Sequence, residues 1–408
     1  MSQSYLSSLI QESVQDFIFK NEGLDEKLLV LKQKTTLGIS TPIIADQFAG
    51  RRKAKYKLPS FYKTKGIVYP PSLNLEQTSS ELTAQFKSDL IQSTIPLKKK
   101  YGADLTGGFG VDSYLLSSIC ENLYYVESNS ELLQLASHNH NVLKVTNINY
   151  HHNSAEDFLK SNTTFFDFVF IDPSRRNKSQ KAVKLADGEP NSIELLPLIF
   201  TKTDVLLIKA SPLLDIQQGL RELINVTKVF VVAVDNECKE LLFLLQKGVI
   251  TEPEIHCVNL SSVIGRGGEV FSLTLSEETK AVSVFSNPLA YLYEPNASIL
   301  KSGAFKSIGQ QFDLSKIQIN THLYTSDKLV PDFPGRIFKV IAINPKADQL
   351  KTIFDGNQAN VITRNYSLTP DELKKKLKLR DGGEKFLIGF SGLKQKCLVA
   401  ASRVKATS

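Results

Sequence analysis

The stretch Tyr101–Asp112, Y-G-A-D-L-T-G-G-F-G-V-D, constrains the fold more than any other part of this 408-residue chain. A short apolar run ends in Asp104. Glycines follow at Gly107, Gly108 and Gly110, and a helical pattern starts with Asp112, Tyr114, Leu115, Leu116 and Ile119. The order is strand, tight turn, helix. Glycine lets the backbone take positive φ and approach a ligand closely. The helix start behind it offers free N–H groups and the positive end of a dipole. The spacing departs from a dinucleotide fingerprint, because the third glycine of G-x-G-x-x-G would have to stand at Ser113. No Gly-Lys-Ser/Thr follows, so it is not a phosphate loop either. An acid four residues ahead of the Gly-x-Gly pair suits a ligand with a cationic amino-acid end.

The rest of the chain falls into line around that turn. Residues 1–95 read as a helical region, with Leu6, Leu9, Ile10, Val14, Phe17 and Ile18 at helical spacing. Thr41-Pro42 starts a helix that runs into Arg51-Arg52-Lys53-Ala-Lys55-Tyr-Lys57, a basic stretch that reads as a solvated face or a phosphate contact. Thr78-x-x-Glu81 reads as a capping box. From 96 to 278 apolar strands alternate with helices, including a helix over Lys239–Gln246, which implies a mostly parallel sheet covered on both faces. Ligands of such sheets bind beyond the carboxyl ends of the strands. Residues 279–325 form a small α/β segment with a helix near Ile299–Ile308, and residues 326–408 a final α/β unit.

The chemistry-bearing residues stand at those strand ends. Glu127 ends the second strand, 23 residues past Asp104, where an acid can accept both ribose hydroxyls of a nucleoside. Asn153-Ser154-Ala155-Glu156 follows the third strand, and Glu156 and Asp157 suit the first turn of a helix. Asp172-Pro173-Ser174-Arg175-Arg176 follows the fourth, and Lys209-Ala210-Ser211-Pro212 the fifth. No cysteine stands at the fifth strand, and Cys238 reads as packed. His151 and His152, adjacent on a strand, point to opposite faces and read as structural.

Asp104-x-x-x-Gly108-x-Gly110 resembles motif I of the class I S-adenosylmethionine-dependent methyltransferases, and Asp172-Pro173-Ser174 resembles motif IV of those that modify bases, with Ser in place of the second Pro. Together with K-A-S-P-L-L-D, D-N-E-C-K-E-L, Tyr293-Glu294-Pro295 and Pro334-Gly335-Arg336, the chain resembles the bacterial methyltransferases with a THUMP-like domain. The resemblance implies a Rossmann-like α/β sheet over 96–278, a ferredoxin-like segment over 279–325 and a basic THUMP-like domain over 326–408. It implies S-adenosyl-L-methionine as cofactor, held by Asp104, Thr106, Gly108, Gly110, Glu127, Ser154, Ala155 and Asp172. Asp172, Pro173 and Ser174 would serve catalysis, and Arg175, Arg176 and Lys209 would hold an RNA substrate, a tRNA or an rRNA. Many members of the family carry Asp where Ser154 stands.

Charge bears on the partner. Residues 281–408 carry 19 basic and 10 acidic residues, a net of +9, whereas residues 1–280 carry 30 and 32. A basic module on a near-neutral body suits a polyanion such as RNA. Four scattered cysteines without a C-x-x-C pair argue against a disulfide scaffold or a metal site and fit a reducing cytoplasm. No apolar run nears the roughly 18 residues of a membrane span, and the start of the chain lacks a secretory pattern. A non-catalytic RNA-binding protein on the same scaffold stays open as an alternative. So does an NAD-dependent oxidoreductase, against which the glycine spacing and Asp172-Pro173 speak.

Overall fold

The computed structural model describes residues 3–70, 72–95, 101–175, 184–263 and 267–404. Two compact units emerge, Met1–Thr227 with Leu242–Thr251, and Lys228–Leu241 with Glu252–Ser408.

The first unit begins with helices, of which three matter here: α1 (Thr41–Lys57), α2 (Pro59–Lys63) and α3 (Glu81–Thr94). Leu9, Val14, Ile44, Phe48 and Phe61 bury their side chains among them together with Phe109 and Val111 of the glycine turn. Two helix starts differ from expectation. Ser40, not Thr41, stands at the N-cap position of α1, without a capping hydrogen bond from its side chain. Ser80, not Thr78, caps α3, accepting from the Thr83 N–H at 3.2 Å. Glu81 turns instead to the start of α2, where its carboxylate accepts from the Ser60 N–H and hydroxyl, both at 2.8 Å. The carboxylate thus answers orphan donors of a neighbouring helix rather than of its own.

The strands β1 (Tyr101–Asp104), β2 (Asn122–Val126), β3 (Ile148–His151), β4 (Phe168–Ile171) and β5 (Val205–Ala210) form a parallel sheet in the order β3-β2-β1-β4-β5. β4 is buried at all four positions, as a central parallel strand should be. Helices α4 (Val111–Ser117), α5 (Ser130–Val142), α6 (Ala155–Ser161) and α7 (Ser192–Ile199) connect these strands. The chain leaves β1 toward β2 on one side and later returns to β4 on the other. That is the switch point of an open α/β sheet, where a crevice forms at the carboxyl edge.

β6 (Val226–Val234) and β7 (Glu237–Gln246) follow, joined by Asp235 and Asn236, both at positive φ. The helix expected over Lys239–Gln246 is therefore a strand. In the second unit β8 (Glu254–Leu260) pairs with β9 (Glu269–Thr274) antiparallel. A seven-stranded sheet comes next, built from β10 (Tyr291–Pro295), β11 (Ser315–Gln318), β12 (Thr321–Ser326), β13 (Gly335–Ile343), β14 (Asn360–Arg364), β15 (Lys385–Ser391) and β16 (Lys396–Arg403). Its order is β11-β12-β10-β13-β16-β15-β14, so strands from either side of residue 326 share one sheet, joined where β10 pairs with β13. The helix expected near Ile299–Ile308 is two short ones, Ala297–Ser302 and Ser307–Gln311, because Gly303 at φ +80° ends the first. Ile299 and Ile308 remain fully buried. One further helix, α8 (Pro370–Leu377), starts at the Thr369 cap with a complete capping box.

Candidate active site

Asp104 closes β1 and is 1% exposed. Its carboxylate accepts from the Thr106 N–H at 3.0 Å and the Ser113 hydroxyl at 2.5 Å. Burial pushes its carboxyl up to about 7, against the pull of those two donors. The turn behind it is held from below by two rings. The Tyr125 hydroxyl donates to the Gly108 carbonyl at 2.6 Å, and a Cβ at Gly107 would lie 2.2 Å from the Tyr125 ring. His140 Nε2 lies 2.8 Å from the Gly110 carbonyl, which can only accept, so Nε2 carries the proton. Nδ1 then accepts from the Tyr150 hydroxyl at 2.9 Å. Burial pushes His140 down to about 4, so the ring stays neutral in this role. Gly110 sits at φ +88°, and a Cβ there would come within 2.6 Å of His140, so both conformation and space require glycine.

Glu127 leans over the turn from the end of β2. One carboxylate oxygen accepts from the Gly108 N–H at 2.8 Å, the other from the Asn129 N–H at 2.7 Å. Ser154 caps α6, accepting from the Asp157 N–H at 3.1 Å and donating to its carboxylate at 2.8 Å, and Ala155 follows it, buried. Glu156 pairs with Lys160 at 2.6 Å along the same helix. On the other side of β1, the Asp172 N–H donates to the Thr106 hydroxyl at 2.6 Å, tying the end of β4 to the glycine turn. Lys209, from β5, sets its ammonium 2.5 Å from the Asp172 carboxylate. Lys209 therefore stands on Asp172 rather than apart from it as a lone cation. Ser174 and Arg175 make a short ladder with Gly188 and Glu189, and Pro173 packs on Gly188. Arg176 and the side chain of Arg175 lie outside the described residues.

These strand ends enclose a cleft of about 400 Å³, within the range of roughly 300–1,000 Å³ usual for small-molecule sites. Of the residues singled out in the sequence, Thr106, Gly108, Glu127, Ser154, Ala155, Asp172 and Ser174 line it, whereas Asp104, Gly110, Pro173 and Lys209 do not. The sequence reading missed its other wall. Gln77, Thr78 and Ser79 line the cleft from the link before α3, and Asp112 lines it from the first turn of α4. Asp112 accepts from the Ser79 hydroxyl at 2.6 Å and lies 3.0 Å from the ammonium of Lys87, which is fully buried. One sequence signal pointed there. Lys87 falls three residues after Ala84 and four before Ile91, on the buried face of α3.

The basic stretch of α1 is in part a solvated face, with Arg52, Lys55 and Tyr56 exposed, and most of its cations have partners. Arg51 is buried, its guanidinium stacked over Phe19 at 4.2 Å and Tyr62 at 4.5 Å and facing Glu22 at 3.6 Å. Arg52 pairs with Glu26, and Lys53 with Glu76 at 2.6 Å. Lys57 donates to the carbonyls of Leu75 and Glu76. His151 stacks on Tyr124, and the His152 ring reaches the Ser128 carbonyl at 3.0 Å. Among the described residues no group of three or more His, Cys, Asp or Glu is placed to hold a metal ion. Nor is any helix among them long and apolar enough to cross a membrane.

Residues 291–334 match the family described as a ferredoxin-like domain, and residues 335–402 the family described as THUMP domain-like. In the match, the buried Glu294 of Tyr293-Glu294-Pro295 binds both Arg336 and Arg364, and a Cβ at Gly335 would lie 2.1 Å from the Glu294 carbonyl. A crystal structure of a proposed methyltransferase from Porphyromonas gingivalis superposes with a TM-score of 0.85 and 28% sequence identity, over 99% of this chain and 100% of that one. An uncharacterized RNA methyltransferase of Mycoplasma mobile is 29% identical over 123 residues, 30% of this chain and 34% of the relative. The matched stretch spans only about a third of that relative's length.

Proposed function

We propose that this protein, a methyltransferase carrying a ferredoxin-like and a THUMP-like domain, uses S-adenosyl-L-methionine to methylate a base nitrogen in RNA, a tRNA or an rRNA, by direct transfer. In this reading residues 96–278 are the methyltransferase domain, residues 1–95 a helical region, residues 279–325 the ferredoxin-like segment and residues 326–408 the basic THUMP-like domain. The observation that carries the proposal is the hydrogen bond from Asp172 N–H to Thr106, which brings the acid at the end of β4 onto the same cleft as the glycine turn and Glu127.

The cleft fits such a cofactor. Each oxygen of Glu127 is already oriented by one backbone N–H; Oε2 keeps a lone pair for a ribose hydroxyl, and Oε1 could take one in place of its long 3.5 Å contact from the Ser128 hydroxyl. Ser154 and Ala155 flank the neighbouring end of the cleft, where an adenine would lie. When bound, the cofactor supplies an electrophilic methyl group. The chain's own part is to hold the acceptor in line and stabilise its nitrogen. The Asp172 carboxylate, oriented by Lys209, can accept an N–H from a planar base, with Pro173 and Ser174 as one wall of the base site. Burial pushes the Cys238 thiol up to about 11, which makes it a poor nucleophile near neutral pH and agrees with transfer without a covalent enzyme intermediate.

Three lines support RNA as substrate: the name of the Mycoplasma relative, the THUMP-like match and the +9 charge of residues 281–408. Calorimetry is expected to show S-adenosylhomocysteine binding. Glu127→Ala, which loses acceptors for two hydroxyls, is expected to weaken it about 100-fold or more at roughly 1.5–3 kcal/mol per charge-assisted hydrogen bond. Binding of NADH instead would sink the proposal. Mass spectrometry of nucleosides from total RNA, with and without the gene, would identify the base.

A further inference from the structure

Two short motifs singled out in the sequence have no part in the proposed chemistry, Tyr293-Glu294-Pro295 and Pro334-Gly335-Arg336. They stand opposite each other in the seven-stranded sheet of the second unit. β10 and β13 pair antiparallel there, with Glu294 opposite Arg336 and Pro295 opposite Gly335. Residues directly opposite in such a pair project from one face, so the acid and the arginine meet. Gly335 permits the close approach, since any Cβ would run into the Glu294 carbonyl. A third residue arrives from far along the chain. It is Arg364, the last residue of β14, 70 positions past Glu294.

The side chain of Glu294 is 4% exposed, those of Arg336 and Arg364 26% and 42%. Glu294 Oε2 accepts from Arg336 Nε at 2.7 Å, and Arg336 Nη2 lies against the same oxygen. Oε1 accepts from Arg364 Nε at 2.6 Å. Arg364 Nη1 donates to the Thr363 carbonyl at 2.8 Å. Arg336 Nη1 and Arg364 Nη2 donate to nothing among the described residues. Neutrality asks for one counter-charge on a buried acid, and this acid has two. Stability gives a weak account of such a network, because apolar packing would often serve as well. Two like charges fixed side by side repel unless a further anion joins them. The planar fork of arginine suits a phosphate, which it binds through paired N–H groups.

We propose that Arg336 and Arg364, held in place by Glu294, bind one phosphodiester group of the RNA. The inference rests on the RNA reading above. Charge decides between a backbone phosphate and a terminal one. Two guanidiniums and one carboxylate leave a net of +1, which matches the single charge of a phosphodiester. A terminal phosphate carries about −1.5 to −2 near neutral pH. Glu294 comes from the ferredoxin-like match and both arginines from the THUMP-like match, so neither segment forms the site alone. A fork fixed in this way sets the register of the strand and not only its attraction.

The test uses the full chain and a fluorescently labelled single-stranded RNA of mixed sequence, made with a 5′-hydroxyl or a 5′-phosphate, with affinity read by anisotropy. Arg364→Lys keeps the charge and a donor for Glu294 but loses the fork. It is expected to weaken both RNAs equally, about tenfold or more, with the salt slope unchanged. Arg364→Gln is expected to make the slope shallower by about 0.7, the value of one single-strand contact. Calorimetric binding of S-adenosylhomocysteine should not move for either variant. Glu294 keeps Arg336 in both, so the sheet is expected to stay folded, which thermal unfolding checks. Arg364→Lys with wild-type affinity, or with a lowered unfolding midpoint as its only change, would overturn the inference and leave the RNA reading standing. A loss confined to the 5′-phosphorylated RNA would overturn the phosphodiester assignment. A wild type that binds neither RNA would overturn the RNA reading itself, and this inference with it.

Discussion

Two basic stretches of similar composition meet different fates. In the first unit, Arg51, Arg52 and Lys53 face Glu22, Glu26 and Glu76, and Lys57 caps two carbonyls. Around the cleft, Lys87 and Lys209 likewise stand on Asp112 and Asp172. In the second unit, Lys374 of α8 pairs with Asp371 and Asp381. Lys375, Lys376 and Lys378 are exposed, and no ion pair among the described residues engages them. A count of lysines does not separate the two cases. What separates them is whether acids stand opposite, and only the unanswered set leaves charge for a polyanion. In the first stretch only Lys55 is exposed with no more than a ring contact, to Tyr62 at 5.9 Å, whereas the second offers three exposed lysines to phosphate.

The largest effect should follow from breaking an answered pair at the cleft. Asp172→Asn keeps an acceptor for Lys209 but removes the charge that would stabilise a base nitrogen in the transition state. We expect kcat to fall by roughly two to four powers of ten, with RNA affinity changed far less. Single-turnover rates on the substrate RNA measure it. A near-normal rate would reduce Asp172 to a partner of Lys209 and remove it from catalysis.

Asp104 is the contrasting acid, answered only by neutral donors. Its carboxyl is pushed up to about 7 from about 3.8, so the folded protein holds a proton there that the unfolded chain releases. Its contribution to stability is therefore full below about pH 4 and is lost as pH rises through about 7. At about 1.4 kcal/mol per pKa unit the loss is on the order of 2–4 kcal/mol. Asp104→Asn can still accept from the Thr106 N–H and can donate to Ser113. It is expected to flatten that slope and to be the more stable protein at pH 8. Urea unfolding at pH 5 and pH 8 decides. A wild type equally stable at both would mean that Asp104 is ionised throughout.

Local chemistry made half of the cleft legible. Asp104, Gly108, Gly110, Glu127 and Asp172 each announce a strand end or a turn within a few residues, and all line one cavity or support it. The missing half depends on contacts at long range. Ser79 meets Asp112 across 33 residues, and Glu22 meets Arg51 across 29. Nothing local in R-R-K-A-K-Y-K says that acids await it. The strand Glu237–Gln246 escaped for another reason. Its L-L-F-L-L core is buried at every position, so it shows neither a period of 2 nor one of 3.6. The two-residue turn Asp235-Asn236, with both residues at positive φ, was the better guide.

The smallest effect tests the unanswered lysines directly. Deleting residues 326–408 would be a poor experiment, because β10 pairs with β13 and Leu292 shares a core with Phe338, Ile388 and Val399. Such a deletion would open the sheet and confound binding with folding. Changing Lys375, Lys376 and Lys378 together to Gln keeps the length of α8 and leaves the buried Leu373 in place. If the three contact phosphates, the slope of log K against log salt should become shallower by about 2 in magnitude, at roughly 0.7 per contact for single-stranded RNA. Affinity at physiological salt should fall about tenfold or more, while calorimetric binding of S-adenosylhomocysteine stays unchanged. Lys53→Gln is the matched control, since its cation is already spent on Glu76, and it should leave the slope where it was. The reverse result, a slope altered by Lys53 and untouched by the three lysines, would assign the RNA to the N-terminal helices and undo the distinction between answered and unanswered charge.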